Sequence, residues 1–469
     1  MNPESVINFV NSYWDENIIP NLSKFISIPC KAMPFDPAWQ ENKYLDQAAH
    51  LIADWAKAQN IEGLVADVVT LENCAPSLFI DIPGQIDKTV LFYGHIDKMP
   101  ESEGWDDGLE PWKAVLRGDN LYGRGSVDDG YPPYLAIAAI KALREQKIAH
   151  PRCVIFLESG EECGSPYFVQ YLDHFKNRIG NPGLIVFPDS DADKERLLST
   201  NSLRGLVDGV LSIEVLKSGV HSGTASGIVP STFRILRQLL DRIEDQNTGA
   251  ILIESANVAI PQFYRDKAKE VAAVYGDSIY KNLSMLEGCQ PVSEDLVELI
   301  LNSTWRPTLC ITGAEGLPTI QSAGNVLRAC TKVRLSLRLP PGVKAYPIIE
   351  EMKQKLESNP PYGAHVKAEF SPDSHTGWCA KEQNAVKFDT LLAKIAKIYY
   401  PKGFLSSGVG GGIGPVTSLA KVYPEAQIWI TGLILPESGA HGPNECLHIP
   451  TAKKLTCCVA HLLQEYFNE

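Results

Sequence analysis

Apolar and polar positions along this chain follow two different rhythms, and the change near residue 206 divides it. In the first stretch, residues 5 to 27 and 43 to 59 repeat apolar side chains at helical spacing. Short apolar runs of strand length follow at 64 to 71, 77 to 82, 89 to 94, 153 to 159 and 184 to 191. Several are rich in β-branched and aromatic residues, as buried strands are. Helical spacing returns at 132 to 147, opened by Pro132-Pro133, and again at 166 to 178. WKAVLRGDNLYGRG (112 to 125) predicts a hairpin turning at Gly118-Asp119-Asn120. Strands alternating with helices predict a layered α/β domain with helices on both faces of its sheet.

From 206 the strands alternate instead of running apolar. LVDGVLSIEVL (206 to 216) has the pattern of a half-exposed strand, and 230 to 245 that of an amphipathic helix with Pro230 near its first turn. After a long polar, proline-punctuated section come strands at 308 to 312 and 326 to 339, a helix at 344 to 357 and a strand near 364 to 370. The order strand, helix, strand, strand, helix, strand predicts a small α+β domain with one exposed sheet face. The prolines at 359 to 361 and the polar stretch 371 to 384 return the chain to the first domain. A helix (385 to 399), a glycine loop (408 to 414), a strand (427 to 433) and a closing helix (451 to 467) complete it. The expected division is thus 1–205 with 381–469, and 206–380 inserted between them.

Composition narrows the function. A chain of 469 residues is too long for one ordinary core, and 44% apolar with 21% charged residues describes a soluble globular protein. The net charge of −13 argues against nucleic acid, whose phosphates need a basic surface. The N-terminus carries acids early and has no apolar core of a signal peptide, and no run of about 18 apolar residues suggests a membrane span. The 11 cysteines are scattered without paired CxxC spacing, which reads as reduced, mostly buried thiols of a cytoplasmic protein. Cys163 stands apart, next to two glutamates in a candidate site.

The chemistry gathers around KTVLFYGHIDKMP (88 to 100). Lys88 to Tyr93 is a buried strand, Gly94 loosens the backbone, and His95 and Asp97 follow two positions apart. Side chains at i and i+2 of an extended chain leave the same face. An imidazole and a carboxylate therefore emerge together from the end of a core strand, where open α/β sheets place their sites. Asp128 and Asp129 lie in the glycine-bracketed LYGRGSVDDG, Glu161 and Glu162 follow CVIFLESG, Asp189 ends LIVFP, and His441 sits in SGAHGPNE after QIWITGL. If these converge, Asp97, Asp128, Asp129, Glu161, Glu162 and Asp189 share one pocket with two imidazoles. So many like charges are prohibitive there without cations. Imidazole with carboxylate suits zinc best, manganese or cobalt less well. One bridging carboxylate would hold two ions about 3.5–4 Å apart. Adjacent glutamates divide the labour: one coordinates while its neighbour handles the proton of a water.

GHIDKMP, GRGSVDDG, ESGEECGSP, FPDSD and GAHGPNE, in that order over nearly the whole chain, resemble the M20 family of dinuclear zinc peptidases. The family includes carnosinases, glutamate carboxypeptidase-type enzymes and the aminoacylase and desuccinylase branches. The resemblance implies a mixed-sheet, phosphorylase/hydrolase-like catalytic domain with an inserted α+β lid and dimerisation domain, hence a homodimer. It implies Asp128 as the bridging carboxylate, His95 and Asp189 completing one metal, Glu162 and His441 the other. Glu161 would be the general base and Asp97 would orient His95. His221, in GVHSGTASG, matches the histidine that stabilises the oxyanion, from the partner subunit in dimeric members. Asn325 resembles another polar contact to the reacting carbonyl, and Arg338, in LSLRLPP, the anchor of a substrate carboxylate. Arg204 is a candidate at the hinge.

Two departures stand out. Gly130-Tyr131 occupies the place of a lysine found in many relatives, and Gly412, in the substrate loop GVGGGIGP, stands near a serine of carnosinase-like members. That loop also echoes a dinucleotide motif, but it follows no clear strand. The expected activity is hydrolysis of an amide bond in a small peptide, of carboxypeptidase or dipeptidase type. The alternatives are an N-acyl-amino-acid deacylase or desuccinylase with the same site, and a non-catalytic binding protein that keeps the fold.

Overall fold

In the computed structural model, which describes residues 1–467 apart from 373, the chain divides into two units. One comprises Met1–Asn201, Ala380–Ser406 and Gly414–Glu469, the other Ser202–Cys379 and Ser407–Ile413. The second unit therefore includes the glycine loop, which the sequence pattern places with the first.

The first unit is organised on Ile86–His95, whose residues from Val90 onward are buried. It lies between two parallel neighbours, Pro151–Glu158 and Leu184–Phe187, and Gln427–Ile430 extends the parallel set beyond Leu184–Phe187. Ser77–Ile82 and Val65–Val69 add antiparallel strands on one side and Leu197–Leu203 one on the other, so the sheet is mixed. Both faces are covered, which is why these strands read as continuous apolar runs. Val90, Phe92, Ile155 and Val186 share one core with Pro132–Glu145 and Ile449–Glu465. On the opposite face Phe156 stacks on Phe168 at 5.3 Å and Phe79 meets Phe175 at 4.7 Å, seating the helix Phe168–Ile179.

Gly94 does not loosen its strand. A Cβ there would lie 2.9 Å from Leu157 Cδ2 and 3.1 Å from Asp129 Oδ2, so glycine is what lets the Asp128-Asp129 loop approach the strand end.

In the second unit, four antiparallel strands run in the order Thr308–Glu315, Cys330–Leu339, Gly205–Glu214 and His365–Phe370. Val207, Leu211, Ile213, Val333, Leu335 and Leu337 point to one face, buried with residues of Thr232–Leu240 and Ala345–Glu357. The alternate positions form the open face, where Arg334 and Asp208 pair at 2.7 Å. The polar, proline-punctuated section holds the helices Gln262–Tyr275, Ser278–Lys281 and Leu296–Thr304. The glycine loop does follow a strand, Phe404–Val409, and precedes the helix Gly414–Val422. That strand pairs with Leu197–Leu203, while Gln427–Ile430, after the helix, pairs with Leu184–Phe187. The two strands are thus not adjacent as in a dinucleotide-binding βαβ unit. No described helix is long and apolar enough to cross a membrane.

Candidate metal centre

Three neighbouring parallel strands of the first unit end at the same edge, and their last residues deliver the site. Ile86–His95 ends in His95 and runs on to Asp97. Pro151–Glu158 leads into the turn Glu161–Cys163, and Leu184–Phe187 is followed by Pro188 and Asp189. Asp128 and Asp129, joined by a cis peptide bond, arrive from the loop before Pro132–Glu145, and His441 from the loop after Gln427–Ile430.

Asp128 lies at the middle. Its Oδ1 is 3.1 Å from His95 Nε2 and its Oδ2 is 2.9 Å from His441 Nε2, which is also 3.2 Å from a Glu162 oxygen. Two groups with metal-ligand chemistry result, His95 with Asp128 and Asp189, and Asp128 with Glu162 and His441. Within each, one donor atom from every residue lies within 4.8 Å of the others, and Asp128 belongs to both.

The charges explain why such a cluster calls for cations. Burial pushes the Asp189 carboxyl up to about 7 and drives Glu161 well above its ordinary range, with Asp189 adding to the burial of Glu161. Glu162 is also raised, again first by burial. Burial opposes the charge on Asp128 too, yet the hydrogen bonds of His441 and His95 hold that carboxyl below its ordinary value. The same contact with Asp128, joined by Glu162, lifts the His441 imidazole to about 10. Carboxylates driven toward protonation beside imidazoles that only an acid keeps charged are a donor set suited to divalent ions, which neutralise the first and bind the second.

Asp97 does more than the sequence suggests. His95 Nδ1 lies 2.9 Å from its main-chain carbonyl, while its carboxylate stands 3.6 Å away, beyond hydrogen-bond length. The carboxylate instead accepts the main-chain N–H groups of Glu161 at 3.2 Å and Glu162 at 3.1 Å. One residue thus orients the imidazole with its backbone and fixes the turn bearing both glutamates with its side chain. A second brace on that turn escaped the sequence reading. Buried Glu158 accepts from Tyr93 Oη at 2.6 Å and Ser165 Oγ at 2.9 Å. Burial raises this carboxyl to about 8.

The candidate residues of the second unit form two groups of their own. His221 pairs in register with Val326, and Ser222 N–H donates to the Asn325 carbonyl at 2.9 Å, so His221 and Asn325 are neighbours. His221 Nδ1 accepts from Gly223 N–H at 3.1 Å. Arg338 lies opposite Thr308 and Leu206 on the open face of its sheet. Close by, Arg204 donates to the Gly410 carbonyl at 3.0 Å and Thr308 Oγ1 at 2.9 Å. Burial first, and Arg338 second, lower the Arg204 guanidinium to about 10. A Cβ at Gly412 would fall 2.4 Å from His375 Nε2 and 2.7 Å from the Arg204 carbonyl. A side chain at Gly412 therefore cannot be accommodated unless both His375 and the Arg204 main chain shift.

The pattern of peptidase family M20/M25/M40 matches residues 91–465. The chain belongs to this family. This M20 peptidase is a metal-dependent amide hydrolase, with an α/β fold of mixed sheet plus an inserted α+β unit. It is 22% identical to the cysteinylglycine-S-conjugate dipeptidase of Corynebacterium striatum, over 88% of this chain and 89% of that one. It is 27% identical to the Cys-Gly metallodipeptidase of Saccharomyces cerevisiae, over 77% and 76% of the two chains. The solved M20 family metallo-carboxypeptidase of Sulfolobus solfataricus shares the fold, with a TM-score of 0.77 over 96% of this chain and 99% of that one at 19% identity.

Proposed function

We propose that this M20 peptidase hydrolyses the amide bond of small peptides with a free C-terminal carboxylate, dipeptides foremost, using two divalent ions, zinc before manganese or cobalt. The observation that carries the reading is the Asp128 carboxylate, which turns one oxygen to His95 and the other to His441. His95, Asp128 and Asp189 would hold one ion, and Asp128, Glu162 and His441 the other. When bound, the ions polarise the scissile carbonyl and acidify water.

The chain's own groups do the rest. Glu161 takes a proton from the attacking water as its oxygen bonds to the carbonyl carbon, then returns it to the amide nitrogen as the C–N bond breaks. His221 donates to the carbonyl oxygen as charge gathers there, and Asn325 adds a polar contact. Arg338 anchors the terminal carboxylate beside the loop of Gly412. Supporting this role, Arg338 stands next to a second guanidinium, and Arg204's own hydrogen bonds go to carbonyl and hydroxyl oxygens, not to an acid. The names of the relatives, dipeptidases of C. striatum and S. cerevisiae, point to the same substrate class.

A panel of dipeptides, dipeptide amides, and N-acetyl and N-succinyl amino acids tests the substrate, assayed with zinc, manganese and cobalt. Dipeptides should be cleaved fastest. Arg338→Met should raise KM for them by roughly 10- to 100-fold, the loss of one charge-assisted contact, and change KM little for the amides. Preference for the N-acyl substrates would instead make the chain a deacylase.

We read the second unit as a lid and as the surface on which two copies pair. Light scattering should then give twice the 51.5 kDa of one chain, and a monomer mass would remove the pairing. The free thiols, with Cys30, Cys74, Cys153, Cys446, Cys457 and Cys458 buried, suit a reducing compartment such as the cytoplasm.

A further inference from the structure

We infer that Arg124 and Glu445, neither of which contributes a metal-binding atom, form a brace that sets the position of Asp128 relative to His441 and so the tightness with which the centre holds divalent ions. The inference rests on the reading of Asp128 and His441 as metal ligands.

Both side chains are buried, each 1% exposed, and they pair at 2.8 Å. Each partner holds one of the two ligand loops. Glu445 Oε1 accepts three successive approaches from the loop ahead of the shared carboxylate: Gly125 N–H at 2.9 Å, Val127 N–H at 3.2 Å and Asp128 N–H at 3.2 Å. Arg124 Nη2 donates to the carbonyl of Gly442, the residue after His441, at 2.8 Å, and to Ser102 Oγ at 3.2 Å. Its Nε donates to the Pro100 carbonyl at 3.1 Å. The pair therefore ties together loops more than three hundred residues apart in sequence, the 321 of the contact itself.

Two further facts say that the tie positions something rather than simply filling space. A buried ion pair is a poor way to stabilise a fold, because taking both charges from water offsets most of their attraction. Here the two side chains also satisfy buried main-chain groups of both ligand loops, so what the pair adds is the placement of those loops. The loop also needs holding. His441 and Asn444 adopt positive φ angles of 62° and 61°, a left-handed conformation uncommon for side-chain-bearing residues, though histidine and asparagine enter it more readily than most, and contacts from outside the loop hold it there. Arg124 at Gly442 is one such constraint, and Asp106 N–H on Asn444 Oδ1 at 2.9 Å is another. Released from Arg124, the imidazole of His441 would spread over conformations that no longer face Asp128. Fewer molecules would then be ready to bind, and metal affinity would fall in proportion.

The test measures two quantities on the metal-stripped full chain: thermal unfolding, and zinc affinity by competition with a chromophoric chelator. The variants are Glu445→Gln, which keeps shape and loses charge, and the double change Arg124→Met with Glu445→Leu, which replaces the pair by an apolar one. Both should unfold at a lower temperature than the wild type, because the first leaves buried Arg124 without its counter-charge and the second leaves main-chain groups unpartnered. The folded chains should bind zinc roughly 10- to 100-fold more weakly, as loss of outer partners of metal ligands does. Their hydrolytic activity should recover as the metal concentration is raised. Unchanged affinity in a folded variant overturns the inference, and so does failure of both variants to fold, which would make the pair a structural element. Failure of the wild-type chain to bind zinc, manganese or cobalt would instead sink the reading of the centre itself.

Discussion

Glu161→Gln is expected to lower kcat by about 10²–10⁴-fold while the chain keeps its full complement of metal. The turn Glu161–Cys163 explains why two adjacent glutamates can differ so sharply. Asp97 accepts both of their main-chain N–H groups, so the backbone of the turn is fixed. Glu162 reaches His441 at 3.2 Å and joins the second ligand group, whereas Glu161 belongs to neither. Burial, with Asp189 next in order, raises the Glu161 carboxyl well above its ordinary range, which favours holding a proton between its arrival from water and its departure on the leaving amine. Glutamine preserves the size and loses that capacity. Glu162→Gln should behave oppositely, losing metal first and activity as a consequence. Metal analysis of the two purified variants beside their kinetics separates the roles. Loss of metal from Glu161→Gln would mean that the assignments are exchanged.

What the sequence made legible follows from where local pattern and chemistry coincide. His95 and Asp97 end an apolar run and differ by two, so strand periodicity alone puts them on one face. Asp189 closes LIVF and the glutamates follow CVIFLES, and the observed strands end at Phe187 and Glu158. Leu197–Leu203 was invisible for the opposite reason. Its centre is Ser199, Thr200, Asn201 and Ser202, all buried, and polar residues do not read as core. Their partners are distant: Asn201 Nδ2 donates to Ser406 Oγ at 2.9 Å, and Thr431 Oγ1 donates to the Leu198 carbonyl at 2.9 Å. The helix Gln262–Tyr275 buries only Tyr264, Ala268 and Val271, a stripe too thin to stand out between prolines. Arg124 and Glu445 sit inside the motifs GRGSVDDG and GAHGPNE, yet nothing local says that two charges 321 positions apart meet in the interior.

Asp128→Asn should have the widest effect of any single change, because one carboxylate serves both ligand groups. Asparagine fills nearly the same volume but offers a neutral oxygen on one side and an N–H donor on the other. Whichever way the amide turns, either His95 or His441 meets a donor where it had an acceptor. Both ions should therefore be lost, with affinity falling by more than the roughly 10- to 100-fold that follows loss of an outer partner, and hydrolysis should drop to background. The metal-free variant offers a second measurement. In the wild type, hydrogen bonds donated to Asp128 first and Glu162 next hold the His441 imidazole at about 10. Without the first of these, its titration by NMR should move down toward the ordinary histidine value of about 6.5. The sign has a consequence for the wild type. An imidazole protonated at neutral pH must release that proton to bind a metal, so zinc affinity should climb as pH rises and each uptake should liberate protons into the buffer. A variant that retained one ion at full affinity would show that the two groups do not share Asp128, and the two-ion reading would fail with it.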